Sequence, residues 1–141
     1  YRLDYMKSVK AGSICQEYDA LKVKFERNMS HCFGVSFGGR KETGTVTPMK
    51  ITFFVDEEKE PYIIDRLERE KRCCILARVE EDLYTLTADV FDPNEIMHWA
   101  KTFIGRIVSI EGGSEAVRRR FYGDIQRMNR MYGGDEDEPV Q

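Results

Sequence analysis

An α+β fold is predicted by three observations. Between Met49 and Glu111, stretches of alternating apolar residues exchange with stretches of helical spacing in the order strand, helix, strand, strand, helix, strand. Glu81-Asp82 falls between two of the alternating stretches as a hairpin turn. Val117, Phe121, Ile125, Met128 and Tyr132 then recur along one side of a last helix. The βαββαβ order describes a ferredoxin-like sandwich with both helices on one face of the sheet. The C-terminal helix is additional to it, and a strand and a connector helix precede it. Such an architecture suits ligand binding or self-pairing, but the fold alone does not name a ligand.

The elements follow in order. Tyr1 to Val9 alternates, with Tyr1, Leu3 and Tyr5 on one face and Arg2 and Asp4 on the other. A lone strand needs partners. Residues 1–10 are therefore expected to be the last strand of a domain whose remainder lies upstream, in a longer chain from which this piece is cut. Asp19 offers an N-cap for a helix through Leu21, Phe25 and Met29, with Gly34 beyond its end. Gly38-Gly39, Gly44 and Pro48 punctuate the segment that follows, so residues 11–46 read as connector helix and linker.

Residues 47–133 form the predicted domain. Its first strand, Met49 to Val55, places Met49, Ile51, Phe53 and Val55 inward and Lys50, Thr52 and Phe54 on the open face. A helix around Pro61, Tyr62, Ile63, Ile64 and Leu67 tolerates its early proline, whose missing donor would be unpaired there anyway. In the hairpin, Ile75, Ala77 and Val79 are expected inward opposite Tyr84, Leu86, Ala88 and Val90. Asp92-Pro93 starts a second helix whose Ile96, Trp99, Ala100 and Phe103 form a core stripe that buries the only tryptophan, and Gly105 stops it. Arg106 to Glu111 supplies the fourth strand. Residues 134–141 are an acidic tail, expected to be disordered.

Composition narrows the function. The net charge is -3, but Asp135-Glu136-Asp137-Glu138 accounts for four negatives, leaving 22 positive and 21 negative side chains. A near-neutral folded part argues against a domain that grips duplex DNA by its phosphates. A length of 141 residues allows one domain that buries roughly two thirds of its unfolded surface without staples. Nothing reaches the roughly 18 apolar residues of a membrane span. Cys15, Cys32, Cys73 and Cys74 lack a Cys-x-x-Cys pair, and neighbouring cysteines on one strand face apart, so reduced thiols in a cytoplasmic protein are expected. His31-Cys32 has no second ligand pair at metal spacing; neither a metal nor a cofactor is expected.

Catalysis is weighed and set aside. A phosphate-handling enzyme of this architecture needs a glycine-rich cradle after its first strand. The turn here, Val55 to Pro61, is acidic and without glycine. No Ser-His or Cys-His arrangement stands out, with His98 expected on an exposed helix side and His31 near a helix end. The open sheet face is the candidate binding surface: Lys50, Thr52 and Phe54 beside Thr85, Thr87 and Asp89, with Arg78 or Cys74 at its border. One aromatic is too few for RNA-recognition stacking, and the composition suits a small polar ligand or a wet protein interface. A merely solvated face is the plain alternative. Arg118, Arg119, Arg120, Arg127 and Arg130 on the last helix are candidates for nucleic-acid contact, against the alternative of a solvated basic face.

These residues carry a resemblance. Lys50-Ile51-Thr52-Phe53, Asp92-Pro93-Asn94-Glu95, Trp99 with Phe103 and Gly105, Val108 and Ile110, and the closing Met131-Tyr132 resemble the C-terminal extension, WCX, of bacterial WYL-domain transcriptional regulators. Tyr1-Arg2-Leu3-Asp4-Tyr5 resembles the last WYL strand, and Phe33-Gly34-Val35 the phrase after its connector helix. Two departures stand: Tyr5 replaces the second arginine of the strand motif, and Glu111-Gly112 the usual Glu-Pro. The resemblance implies an effector-sensing and dimerising region, a homodimer whose DNA contact comes from an N-terminal domain outside this chain. Its effector would be a nucleic acid or a small molecule. It also implies an effector role for Arg2, beside the plainer reading of a strand-edge arginine paired with an acid. A module that only pairs protomers, without an effector, is the alternative.

Overall fold

The alternation that marks the first core strand builds the centre of a four-stranded antiparallel sheet. In this computed structural model, which describes residues 6–36 and 45–133, the strands are β1 (Thr47–Phe54), β2 (Ile75–Glu80), β3 (Leu83–Val90) and β4 (Ile107–Gly112), in the order β2-β3-β1-β4. Four α-helices complete an α+β fold: α1 (Tyr18–Met29), α2 (Pro61–Glu70), α3 (Pro93–Ala100) and α4 (Glu115–Tyr132). Met49, Ile51, Phe53 and Val55 are all buried, as a period of two requires of a strand with one face inward. Ile63 and Leu67 of α2, Ile96, Met97 and Ala100 of α3, Phe103 after it, and Val117 and Phe121 of α4 meet them in one core. Each large apolar side chain buried there is worth about 1.5–3 kcal/mol relative to exposure.

Local chemistry sets the helix ends. Pro61 and Pro93 sit in the first turns of α2 and α3. The Asp92 carboxylate accepts the Asn94 N–H at 2.9 Å, and the Ser114 hydroxyl accepts the Val117 N–H at 3.2 Å at the start of α4. Gly105 turns the chain into β4 with φ of 90°, a conformation that costs glycine little.

The hairpin departs from expectation. Glu80 faces Leu83 across the turn, so an unbroken register would set Val79 opposite Tyr84 and Ala77 opposite Leu86. Instead the register shifts between Arg78 and Glu80, and Arg78 faces Tyr84, Leu76 faces Leu86 and Ile75 faces Thr87. One extra residue in the strand exchanges its two faces. Leu76 therefore packs against the core, while Ile75, Ala77 and Val79, expected inward, are exposed. Tyr84, Leu86 and Val90 are buried as expected.

Other corrections are local. Trp99 is only partly buried, because its Nε1–H reaches out to Glu70 Oε2 at 2.9 Å while its ring lies against Phe103 and Phe33. Cys73 and Cys74 lie in the turn before β2 rather than on a strand. The first connector turn begins at Tyr18 without a side-chain cap from Asp19. Of the α4 stripe only Val117 and Phe121 are buried. Ile125, Met128 and Tyr132 are exposed, because an 18-residue helix, about 27 Å long, outruns the core beneath it. Met6 to Lys10 carry no strand, since no β-strand lies beside them among the described residues; the rest of that expected strand and the acidic tail fall outside those residues. Among the described residues, no helix is long and apolar enough to cross a membrane.

Candidate binding face and connector strap

Helices α2, α3 and α4 all pack on one side of the sheet, and among the described residues no helix covers the other side. Two rows cross it. Glu111, Lys50, Thr87 and Ile75 form one, and Ser109, Thr52, Thr85 and Ala77 the next. Lys50 Nζ lies 3.2 Å from Glu111 Oε1, an exposed pair of the kind worth about 0–1 kcal/mol. Thr85 is buried in the middle of its row, and Phe54 stands half exposed at the end of β1. The face thus brings together Lys50, Thr52, Phe54, Thr85 and Thr87.

Arg78 is not part of it. The bulge in β2 turns its side chain to the helix side, where Nη2 donates to Glu57 Oε2 at 2.9 Å and Tyr84 Oη donates to Glu57 Oε1 at 2.8 Å. The Arg78 guanidinium, with the Tyr84 hydroxyl, holds the Glu57 carboxyl below the usual range. Cys74 also leaves the border of the face: it is in the core, and burial pushes its thiol up to about 12. Arg2 lies outside the described residues.

The acidic turn after β1 is engaged by the protein's own donors. Asp56 accepts the Lys59 N–H at 2.9 Å and Lys59 Nζ at 2.7 Å, Glu60 accepts from Arg106, and Asp82 accepts the Glu57 N–H at 2.8 Å. On α4, Arg119 pairs with Glu115, Arg127 with Asp124, and Arg118 donates to the Gly112 carbonyl. Arg120 and Arg130 are exposed. Two of the five arginines singled out for nucleic-acid contact therefore already hold an acid on their own helix.

What the sequence reading missed is the strap from His31 to Ser36. The Glu95 carboxylate, in the first turn of α3, accepts the N–H groups of Gly34 (2.8 Å), Val35 (2.8 Å) and Ser36 (3.2 Å) and the Ser36 hydroxyl (3.1 Å). Phe33 enters the core beneath Arg72, whose Nη1 donates to the Phe33 carbonyl. A Cβ on Gly34 would lie 2.5 Å from Glu95 Cδ, so a side chain there would push the Glu95 carboxylate away from the strap. At the other end His31 Nδ1 lies 2.8 Å from the Asp89 carbonyl, and Phe91 donates its N–H to the His31 carbonyl at 3.1 Å. In the sequence Phe33-Gly34-Val35 stands out only as part of the resemblance, which carries no sign of these contacts. The Glu95 contacts span about 60 residues of sequence and leave no periodicity to read.

Where the strap crosses the sheet, a cleft of ≈ 380 Å³ opens at the corner of the bare face, with Ser30, His31 and Cys73 as one wall. Among the described residues no group of three or more His, Cys, Asp or Glu side chains could hold a metal ion. The cysteines are free thiols. The class so defined is a small α+β domain with one helix-covered sheet face, one bare face, and a connector strapped to its edge. No protein-family model, curated protein or solved structure matches the chain.

Proposed function

We propose that this chain is the effector-sensing and dimerising region of a WYL-type transcriptional regulator, cytoplasmic and non-enzymatic, with DNA contact supplied by a domain outside it. The sheet order β2-β3-β1-β4 with every neighbour antiparallel supports a ferredoxin-like arrangement. The observation that carries the functional reading is the bare sheet face, where Thr52, Thr85, Thr87 and Ser109 hydroxyls and the Lys50–Glu111 pair offer hydrogen bonds without a covering helix. The strap supports it too. Phe33-Gly34-Val35, the phrase on which the resemblance partly rests, is anchored to α3, so a shift of the connector is transmitted to the domain. The acidic turn after β1 gathers carboxylates, with Asp56 bonded to Lys59 and Glu60 to Arg106, a charge that would repel a phosphate and so supports a binding role over phosphate chemistry.

A second reading has its own observation. Ile125, Met128 and Tyr132 form an exposed apolar run on α4, as a module that only pairs protomers would present. Replacing Lys50 and Thr52 by alanine in the full-length parent separates the two. Loss of the effector-dependent change in DNA binding, with the dimer retained, supports sensing; loss of the dimer supports assembly. Effector-independent DNA binding by a monomeric parent would overturn both.

A further inference from the structure

We infer that the corner cleft between the strap and the bare sheet face is a binding site for a small organic ammonium ion with an apolar body. The inference rests on the proposal that this face binds an effector, and it names the seat and the chemistry. The cleft, ≈ 380 Å³, falls within the size range of small-molecule sites. Pro48 and Ile75 give it apolar surface on the bare face, Met49 and Ala88 line it from strand positions whose side chains face the core, and its polar groups are His31, Thr87 and Asp89.

Those polar groups are biased toward accepting. The Asp89 backbone carbonyl can only accept, so His31 donates to it through Nδ1–H, and the Asp89 carboxylate beside it accepts as well. The Asp89 carboxylate is exposed, and no cation among the described residues pairs with it. The reason lies in the register. Directly across from Asp89 stands Pro48, and the diagonal Lys50 is drawn to Glu111 on the far strand. Arg72, on the other side of the strap, is engaged with the Phe33 carbonyl. An acid without a counterion at the mouth of an apolar cleft favours a ligand that carries its own cation and N–H donors. The bulge in β2 completes the site, because only the shifted register turns Ile75 toward this face.

The test uses the full 141-residue chain, labelled with ¹⁵N, titrated with phenethylammonium chloride and, separately, with sodium phenylacetate and phenethyl alcohol. The expected result is saturable movement of the Ile75, Thr87 and Asp89 amide signals with the ammonium probe alone. Asp89→Asn is expected to weaken that binding about tenfold by removing the charge partner. Ile75→Lys, an exposed position that tolerates substitution, is expected to weaken it by placing a competing cation in the cleft. Equal response to all three probes, no response at these amides, or unchanged affinity in both variants would overturn the inference. Because Lys50 and Thr52 lie away from the cleft lining, their alanine variants report separately on the broader effector reading. Failure of the ammonium titration with a retained Lys50- and Thr52-dependent response overturns the cleft alone.

Discussion

Glu95 and Gly34 show how much one carboxylate can organise. Four donors on one side chain make Glu95→Gln more than a surface change. It is expected to destabilise the domain by about 1–3 kcal/mol, since a neutral amide accepts fewer and weaker bonds. Gly34→Ala is expected to act at the same place by displacing the Glu95 head group. Hydrogen exchange at Gly34, Val35 and Ser36 checks both, faster exchange confined to the strap being the predicted outcome. Acid should act on other carboxylates. The Trp99 Nε1–H and Arg66 hold the Glu70 carboxyl below its ordinary 4.5, and Arg78 and Tyr84 do the same for Glu57. A carboxyl whose folded value is depressed contributes stability above its unfolded value, and that contribution is lost as pH falls below it through the folded value. Melting temperature should therefore drop on acidification below about 4.5, and less steeply in Glu70→Gln, which thermal melts at a series of pH values would reveal. Cys74, pushed to about 12 by burial, should resist alkylation under conditions where exposed Cys15 reacts, as peptide mass spectrometry would record.

At the scale of elements, β1, α2 and α3 were legible in the sequence because each signal was local. Alternation marked Met49, Ile51, Phe53 and Val55, a first-turn proline marked α2, and Asp92-Pro93 marked α3. The inward face of β2 was not legible. A bulge inserts one residue without altering composition, and Ile75-Leu76-Ala77-Arg78-Val79 alternates plausibly either way. The placement of Arg78 failed with it. The α4 stripe was visible as a period, but a period does not say where the supporting core ends, and burial stops at Phe121. The register predicts opposite outcomes for neighbouring substitutions. Ile75→Lys should change stability by less than about 0.5 kcal/mol, whereas Leu76→Lys should cost more than about 2 kcal/mol by placing a charge against the core. Chemical denaturation of the two variants decides; the reverse order would refute the shifted register.

For the whole molecule, the candidate site was half legible. Lys50, Thr52, Phe54, Thr85 and Thr87 could be placed on one face by alternation alone, whereas the strap and the corner cleft arise from contacts between segments far apart in sequence. Together they describe a domain with one side committed to its core and the other available for recognition. The exposed run of Ile125, Met128 and Tyr132 adds a second surface suited to pairing. The central claim, that this chain pairs and senses, is tested most directly by its solution mass, measured by light scattering across concentration, with and without short single-stranded DNA. The account predicts twice the mass of one chain, held over the concentration series, with any further rise on adding oligonucleotide identifying nucleic acid as the effector. A mass of one chain at every concentration, indifferent to oligonucleotide, would contradict it.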